Sequence, residues 1–215
     1  GLSMYTEVMQ DSAFELVKKG VITSGSATAL SLSEAMQREL YDNIDLYKKH
    51  IVIRPQEIAN NPEVVRRMQL IAMNTPIEVD IYGNVNSTHV MGTKIMNGIG
   101  GSGDFARNAG LTIFATGSLA KGGAISCVVP MVSHVDHTEH DVDVIVTEYG
   151  AADLRWKTPR ERAKLIIENC AHPDYRPQLR EYFAEACATS GGQTPHVLSK
   201  ALSWHQRYVG TGSMK

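Results

Sequence analysis

The sequence has few cysteines, no long hydrophobic run and no excess of charge of either sign. Its 215 residues include three widely spaced cysteines, which form no disulfide framework, and we expect buried thiols in a reducing compartment: the cytoplasm, or the mitochondrial matrix in a eukaryote. The longest apolar runs have the length of a strand, far below that of a membrane span. With a net charge of -2 and interspersed acidic and basic residues, nothing indicates a nucleic-acid or membrane partner.

Segments with strand character alternate with helical patterns in the first part of the chain, and helices dominate its end. Several of these segments are apolar without alternation, as in strands that are covered on both faces. The pattern predicts a layered α/β fold, in which an open, mostly parallel sheet carries helices on both faces. The main strand candidates are residues 51–53, 77–82, 111–115, 124–132 and 142–147.

Short motifs mark the expected helix starts. Asn61 stands directly before a proline and is a good helix cap, and the sequence Thr-Pro-Arg-Glu that begins at Thr158 is a capping box. Asp11 is a candidate cap for a helix over residues 11–19, and Pro195 is expected to open the last helix, to about residue 208.

The most informative segment is glycine-rich: four of the six residues from Gly98 to Gly103 are glycine. Such a run fits either a tight turn between buried strands or a loop whose bare N–H groups touch a ligand. The spacing contains G-x-G-x-x-G, but no acidic residue follows on a strand about twenty residues later, as a dinucleotide site requires. No Gly-Lys-Ser/Thr ending is present, which excludes a phosphate P-loop.

Together with other runs, this segment resembles the acetyl-CoA hydrolase/transferase family, the class I CoA-transferases that include succinyl-CoA:acetate CoA-transferases. The matching runs occur in the family's order over nearly the whole chain: residues 5–8, 54–58, 96–109, 133–141 and 146–155. Members of the family are about twice as long and contain two related α/β halves. The resemblance therefore implies a NagB/RpiA-like fold and identifies residues 1–215 as the C-terminal CoA-transferase domain. Residues 1–30 are then a lead-in that carries the nucleophile, and the N-terminal half is absent.

Glu7 falls on the nucleophile of the family. Taken alone, it reads as an ordinary exposed glutamate at the start of a helix, favoured by the helix dipole. The resemblance instead implies that its carboxylate attacks the thioester carbonyl of an acyl-CoA, and that a glutamyl-CoA thioester follows.

Four further positions match functional residues of the family. The side chain of Asn60 and the backbone N–H of Gly101 match the donors that stabilise the oxyanion, and Asn97, Gly101 and Lys121 match contacts to CoA. From the residues alone, Asn60 is a helix-capping asparagine and Lys121 a solvated loop lysine. Asn61 is better placed to cap the helix, which leaves Asn60 for another role.

The function implied by the resemblance is CoA transfer between a short acyl-CoA and a small carboxylate such as acetate, succinate, propionate or butyrate. CoA is then a substrate, and no cofactor is bound permanently. Two alternatives remain: hydrolysis of the acyl-CoA, and a catalytically incomplete CoA-binding or assembly domain. Because part of the family's CoA site lies in its first half, we expect a folded, nearly inactive chain that self-associates and regains activity with that half.

Three histidines, His134, His137 and His140, lie in the run that ends at Asp141 and suggest a metal site. They share no face of a regular helix or strand, and no H-E-x-x-H motif is present. We therefore expect no metal, but a hydrogen-bonded loop that supports the active site. Glu148, at the end of a strand, is a second carboxylate for which we expect a structural role.

Trp156 departs from the family pattern, which has a glycine at this position. Because a tryptophan adopts a positive φ only at a cost, we expect the local turn to differ here.

Overall fold

The chain divides after Leu70 into two units, Gly1–Leu70 and Ile71–Lys215, each with its own hydrophobic core. The computed structural model describes all residues from 1 to 215. Each unit contains both strands and helices. No helix combines the length and the apolar composition that crossing a membrane requires.

Parallel pairing dominates the first unit. Strands β1, β3 and β5 form a parallel sheet in the order β1-β3-β5, and β2 pairs in parallel with β4. The strands are β1 (Leu2–Tyr5), β2 (Val8–Gln10), β3 (Ile22–Ala27), β4 (Ala29–Ser31) and β5 (Ile51–Ile53). The helices are α1 (Asp11–Lys18), α2 (Glu34–Asp42), α3 (Ile44–Tyr47), α4 (Gln56–Ala59) and α5 (Pro62–Met68).

The core of the first unit forms around helix α1, whose apolar residues recur at helical spacing. Ala13, Phe14 and Val17 are buried, and the rings of Phe14 and Tyr47 lie 5.1 Å apart. The expected cap at Asp11 is wrong, because Asp11 is the first helical residue. Its Oδ1 atom instead accepts the N–H of Ser33 at 2.9 Å, which ties α1 to the start of α2.

The second unit is organised around a four-stranded sheet in the order β16-β15-β11-β6, in which only β16 is antiparallel to its neighbour. Its strands are β6 (Ile71–Asn74), β7 (Glu78–Asp80), β8 (Val85–Asn86), β9 (His89–Val90), β10 (Lys94–Ile95), β11 (Leu111–Ala115), β12 (Leu119–Ala120), β13 (Ile125–Ser126), β14 (Val128–Val129), β15 (Val144–Thr147) and β16 (Gly150–Asp153). Its α-helices are α6 (Ser102–Asn108), α7 (Pro159–Asn169), α8 (Arg176–Thr189) and α9 (Ser203–Thr211), and two 3-10 turns span Lys121–Gly123 and Glu139–Asp141.

The mixed α/β fold with mostly parallel strands is confirmed. Six of the ten strand pairings are parallel, and they are spread over several small sheets. Helix α6 packs on β6 and β11, and α7 packs on β16. The core between these elements includes the fully buried residues Phe114, Ile145, Leu154, Ile166 and Leu179.

The expected strand over residues 124–132 is two short strands, because the chain changes partners within the run. Strand β13 pairs antiparallel with β12, whereas β14 pairs in parallel with β7. Between them, the Ser126 hydroxyl lies 2.6 Å from the carbonyl of Val128 and closes a local turn.

The helix motifs near the end of the chain had different outcomes. The capping box is confirmed: the Thr158 N–H donates to the Glu161 carboxylate at 2.8 Å, and Thr158 Oγ1 accepts the Glu161 N–H. The helix predicted to open at Pro195 is wrong, since α9 begins at Ser203. The carbonyl of Pro195 accepts a hydrogen bond from the buried Tyr82 hydroxyl, a tertiary contact that replaces a helical one.

The turn at Trp156 is not the one we expected. Trp156 itself adopts a left-handed conformation, with a φ of 60°, and its side chain is 98% exposed. The fold therefore imposes the conformation suited to glycine on a residue whose side chain buries almost no surface.

Trp156→Gly is expected to raise the free energy of unfolding by about 0.5–1 kcal/mol. The substitution removes a left-handed penalty of about 1–2 kcal/mol, against about 0.5–1 kcal/mol for the greater flexibility of glycine in the unfolded chain. Trp156→Ala is the control, because alanine keeps the Cβ atom that causes the penalty. Urea denaturation followed by circular dichroism measures both variants, and equal stabilities for the two would contradict this explanation.

Candidate active site

Glu7 lies in the first unit, between strands β1 and β2, and not in the first turn of a helix. Its carbonyl accepts the N–H groups of Thr28 and Ala29 at 2.9 and 3.1 Å, where the chain passes from β3 to β4. These hydrogen bonds fix the backbone at Glu7 between the β1-β3 pair and the β2-β4 pair. The residue is partly exposed, so a ligand can reach this position.

Asn60 follows helix α4 and is buried, with 6% of its surface exposed. Neither its Nδ2 nor its Oδ1 atom has a hydrogen-bond partner in the structure. Asn61 next to it is the helix cap, and its Oδ1 atom accepts the N–H groups of Glu63 and Val64 at 3.0 and 3.3 Å. Since an unpaired buried amide costs about 1–3 kcal/mol, no hydrogen bond within the protein offsets the burial of the Asn60 amide.

The segments that carry Glu7 and Asn60 are joined within the first unit. The hydroxyl of Tyr5, at the end of β1, donates a hydrogen bond to the carbonyl of Ile58 in α4. Tyr5 is two residues before Glu7, and Ile58 is two residues before Asn60. The proposed nucleophile and the proposed oxyanion donor therefore stand on directly connected segments.

The second unit contains a cavity of about 480 Å³, which is within the range of small-molecule sites. Asn97 and Lys121 both line it, although 23 residues separate them in the sequence. Most of the other lining residues are apolar, among them Ile77, Val90, Met91, Met96, Leu119 and Ile125. A few polar groups around an apolar cavity suit a ligand with an uncharged chain and a polar or charged end.

Lys121 stands in a strained turn at this cavity. Its φ is 51°, and the two glycines that follow have φ angles of 63° and 94°. Three successive positive φ angles turn the chain sharply between β12 and β13. Non-glycine residues in this region cluster at functional sites, because the surrounding structure must hold them there.

Asn97 is anchored through the loop predicted to support the active site. Its Nδ2 atom donates to the carbonyl of Ser87 at 2.7 Å, and Asp136 accepts the N–H of Ser87 at 2.7 Å and the hydroxyl of Thr88 at 2.8 Å. Burial alone would raise the pKa of Asp136, but these hydrogen bonds and nearby His134 hold it below its usual value. The ionised Asp136 thus fixes the segment on which Asn97 depends.

Gly101 precedes helix α6 and lies in a turn that is held by its neighbour Ser102. The Ser102 hydroxyl donates to the carbonyl of Ile99 at 2.8 Å and lies 3.0 Å from Nε2 of the fully buried His137. Since the hydroxyl proton goes to Ile99, the imidazole Nε2 is the donor to Ser102. Burial lowers the pKa of His137, which keeps the ring neutral. The histidine run thus contacts the glycine-rich segment, and nowhere does a group of three metal-ligating side chains converge.

Two other side chains lie in or near the wall of the cavity, Cys127 as a lining residue and Glu148 through its contact with Ser118. Glu148 accepts the N–H of Ser118 at 2.8 Å and also its hydroxyl, directly before β12, and the structural role expected for it stays a prediction. Cys127 lines the cavity, and burial raises the pKa of its thiol to about 11. Of the three cysteines, Cys127 and Cys170 are buried as expected, whereas Cys187 is partly exposed.

Sequence reasoning missed the buried polar side chains Glu78 and His205. The alternation over residues 77–82 predicts that Glu78 and Asp80 face solvent, but both are buried, with 3% and 1% of their surface exposed. The partners of Glu78 include side chains from distant parts of the chain, so no local signal identifies its burial, whereas Asp80 accepts the N–H groups of residues two to four positions later. A carboxylate within an apolar segment was the only indication available.

The structure is a mixed α/β protein with a largely apolar cavity in its second unit. The chain belongs to the acetyl-CoA hydrolase/transferase family, whose C-terminal domain matches residues 37–183. It is 64% identical over 214 residues to the succinyl-CoA:acetate CoA-transferase of Clostridium kluyveri. The match covers 100% of this chain and 40% of that protein.

Two further relatives agree with this membership. An acetyl-CoA hydrolase of Candida albicans is 46% identical over 222 residues, with 100% of this chain and 42% of that protein covered. The crystal structure of RipA from Yersinia pestis has a TM-score of 0.75 at 30% identity, over 87% of this chain and 44% of that one. The chain thus spans about two fifths of the length of the curated relatives.

Proposed function

We propose that this chain carries the nucleophile, the oxyanion donors and part of the CoA site of a CoA-transferase. The observation that carries the proposal is the buried, unpartnered amide of Asn60, at the position that matches an oxyanion donor. The donors are the Asn60 amide and the Gly101 N–H, while Asn97 and Lys121 bind CoA from the wall of the cavity. The substrates are a short acyl-CoA and a small carboxylate such as acetate, succinate, propionate or butyrate.

The reaction begins when the Glu7 carboxylate attacks the thioester carbonyl, which forms an acyl-glutamyl anhydride and releases CoA thiolate. The thiolate attacks the glutamyl carbonyl of the anhydride, the original acyl group leaves as a carboxylate, and a glutamyl-CoA thioester remains. An incoming carboxylate reverses both steps: it attacks this thioester, and the released thiolate then takes the new acyl group and regenerates Glu7. Each addition creates an oxyanion, which the proposed donors stabilise.

Hydrolysis is the second candidate function, and the acetyl-CoA hydrolase relative supports it. In that case water attacks the glutamyl-CoA thioester, the glutamate is restored, and the thiolate leaves with a proton from the water. The third possibility is an assembly domain that binds CoA without chemistry. We place the protein in the cytoplasm, or in the mitochondrial matrix of a eukaryote, because its three thiols are free.

We further propose that residues 1–215 act as a C-terminal CoA-transferase domain, in which residues 1–30 carry the nucleophile, together with a segment equivalent to the rest of the relatives. The test compares this chain alone with a fusion in which the remainder of the Clostridium kluyveri relative precedes residue 1, called the completed enzyme below. We expect the chain alone to be folded, dimeric or larger, and nearly inactive. Size-exclusion chromatography with light scattering measures its oligomeric state.

The completed enzyme should convert acetyl-CoA and labelled succinate into labelled succinyl-CoA. Thiol release without any carboxylate acceptor would instead identify a hydrolase, and binding of CoA with neither reaction would identify an assembly domain. Rapid turnover by the chain alone as a monomer would contradict the need for the further segment.

A further inference from the structure

Glu78 and His205 form a buried polar pair at the cavity, although they lie 127 positions apart in the sequence. Nε2 of His205, on helix α9, lies 2.7 Å from Oε2 of Glu78, and the two side chains are 6% and 4% exposed. Glu78 is also one of the residues that line the cavity. The last helix of the chain therefore contacts a residue in the wall of the proposed ligand site.

The pair is arranged so that the carboxylate only accepts hydrogen bonds. Burial alone would raise the pKa of Glu78, but hydrogen bonds from His205, Asn86 and Ser133 hold it below its usual value. The carboxylate is therefore ionised at neutral pH, and His205 Nε2 must be the donor to it. The other ring nitrogen, Nδ1, is buried without a partner, so the histidine makes no second polar contact that explains its place in the core.

On its other side, Glu78 holds Ser133 and Asn86, and Asn86 directly precedes Ser87 in the wall of the cavity. The Oε1 atom of Glu78 accepts the N–H and the hydroxyl of Ser133, both at 2.7 Å, and Nδ2 of Asn86 at 3.0 Å. Ser133 in turn supports the turn between β9 and β10. A Cβ atom at Gly92 would lie 2.8 Å from the Ser133 carbonyl, so the two backbones are in direct contact.

Asn86 links Glu78 to residues 86–97, which we call the cavity segment. Its Oδ1 atom accepts the N–H groups of Thr88 and His89 at 3.2 and 3.0 Å, and its Nδ2 atom donates to the carbonyl of His89 at 2.7 Å. Ser87, between these residues, accepts the Asn97 amide. Hydrogen bonds thus lead from helix α9 through Glu78 to Asn86, and the peptide-bonded neighbour Ser87 continues the connection to Asn97.

We propose that His205 is a positioning residue: through Glu78 it holds the cavity segment in the conformation that binds the CoA thioester. As far as it concerns CoA, the inference rests on the proposed function. Its structural part, the ordering of residues 86–97 by a side chain of α9, stands independently. If His205 served only the general stability of the unit, its loss would loosen the core without singling out the cavity segment.

The test uses His205→Ala, with Trp204→Phe as the matched control. Trp204 is the preceding residue on the same helix, it is buried in the core, and it makes no hydrogen bond to Glu78. His205→Gln keeps an N–H donor for Glu78 and serves as the rescue variant. Hydrogen exchange of the cavity segment is measured in the 215-residue chain, and the dissociation constant for CoA is measured by calorimetry in the completed enzyme.

We expect His205→Ala to speed exchange in residues 86–97 and to weaken CoA binding by roughly 3- to 30-fold, with His205→Gln close to the wild type. Trp204→Phe should lower the melting temperature without either effect. If the control changes exchange and affinity as much as His205→Ala does, or if neither variant changes exchange, the inference is wrong. If the completed wild-type enzyme does not bind CoA, the proposed function fails, and hydrogen exchange still decides the positioning role. Should His205→Ala not fold, Glu78→Gln tests the same connection from its other end.

Discussion

Glu7→Asp is expected to lower the turnover of the completed enzyme by about 10²-fold or more, and Glu7→Ala to reduce it to background. The backbone at Glu7 is fixed by the hydrogen bonds from Thr28 and Ala29, so it does not shift to compensate for a shorter side chain. The attacking oxygen is then displaced by about the length of one carbon–carbon bond, which is more than a near-attack geometry tolerates.

The covalent intermediate gives a direct readout of the same prediction. Treatment of the completed enzyme with acyl-CoA and then borohydride should reduce the glutamyl thioester to an alcohol at Glu7, which peptide mass spectrometry detects. Glu15→Asp is the control, because Glu15 is an exposed glutamate of the same unit, on helix α1. Full activity of Glu7→Ala, or a modification at another carboxylate, would end the mechanism with Glu7 as nucleophile.

Asn60→Ala is expected to lower kcat of the completed enzyme by about 10²–10³-fold, the usual effect of removing one oxyanion donor. The KM for acyl-CoA should change much less, because the donor acts on the charge of the transition state. The free energy of unfolding should stay the same or rise, since both polar atoms of Asn60 are buried without a partner.

Asn61→Ala provides the opposite case at the adjacent position. It removes the cap of helix α5 and should cost about 1 kcal/mol of stability, while turnover is retained. Steady-state kinetics and urea denaturation on both variants test the pair. A loss confined to KM in Asn60→Ala would make Asn60 a binding residue, and a clear loss of stability would show that its amide has a structural partner.

The parts of the fold that were predictable from the sequence depend on neighbouring residues. The Asn61 cap and the capping box at Thr158 both satisfy the N–H groups of their own helix, so three or four residues determine them. Asp11 and Pro195 have comparable local signals, but both accept tertiary hydrogen bonds instead, from the Ser33 N–H and the Tyr82 hydroxyl respectively. Where a distant partner competes for the same polar group, a local motif is not sufficient.

Burial was predicted least well where a polar side chain has distant partners. Alternation places Glu78 on a solvent-exposed face, because a carboxylate normally avoids the core. The structure supplies Glu78 with donors from Asn86, Ser133 and His205, which makes its burial possible. Such a set of partners depends on the folded topology and cannot be obtained from the strand alone.

For the candidate site, the resemblance to the family selected the residues, and the structure brings some of them together in pairs. Asn97 and Lys121 line one cavity, and Glu7 and Asn60 lie on connected segments of the first unit. The roles of these four residues and of Gly101 stay predictions. The strained φ of Lys121 had no signal in the sequence other than the two glycines that follow it.

Cys127 has a consequence for the fate of a thioester in the cavity. Exchange of an acyl group between two sulfur atoms requires a thiolate as the attacking species. With a pKa of about 11, the Cys127 thiol provides only about one thiolate in ten thousand molecules at pH 7. If the cavity binds an acyl-CoA as proposed, the Cys127 sulfur beside it captures the acyl group only slowly, so little of the transferred group is lost to the cysteine.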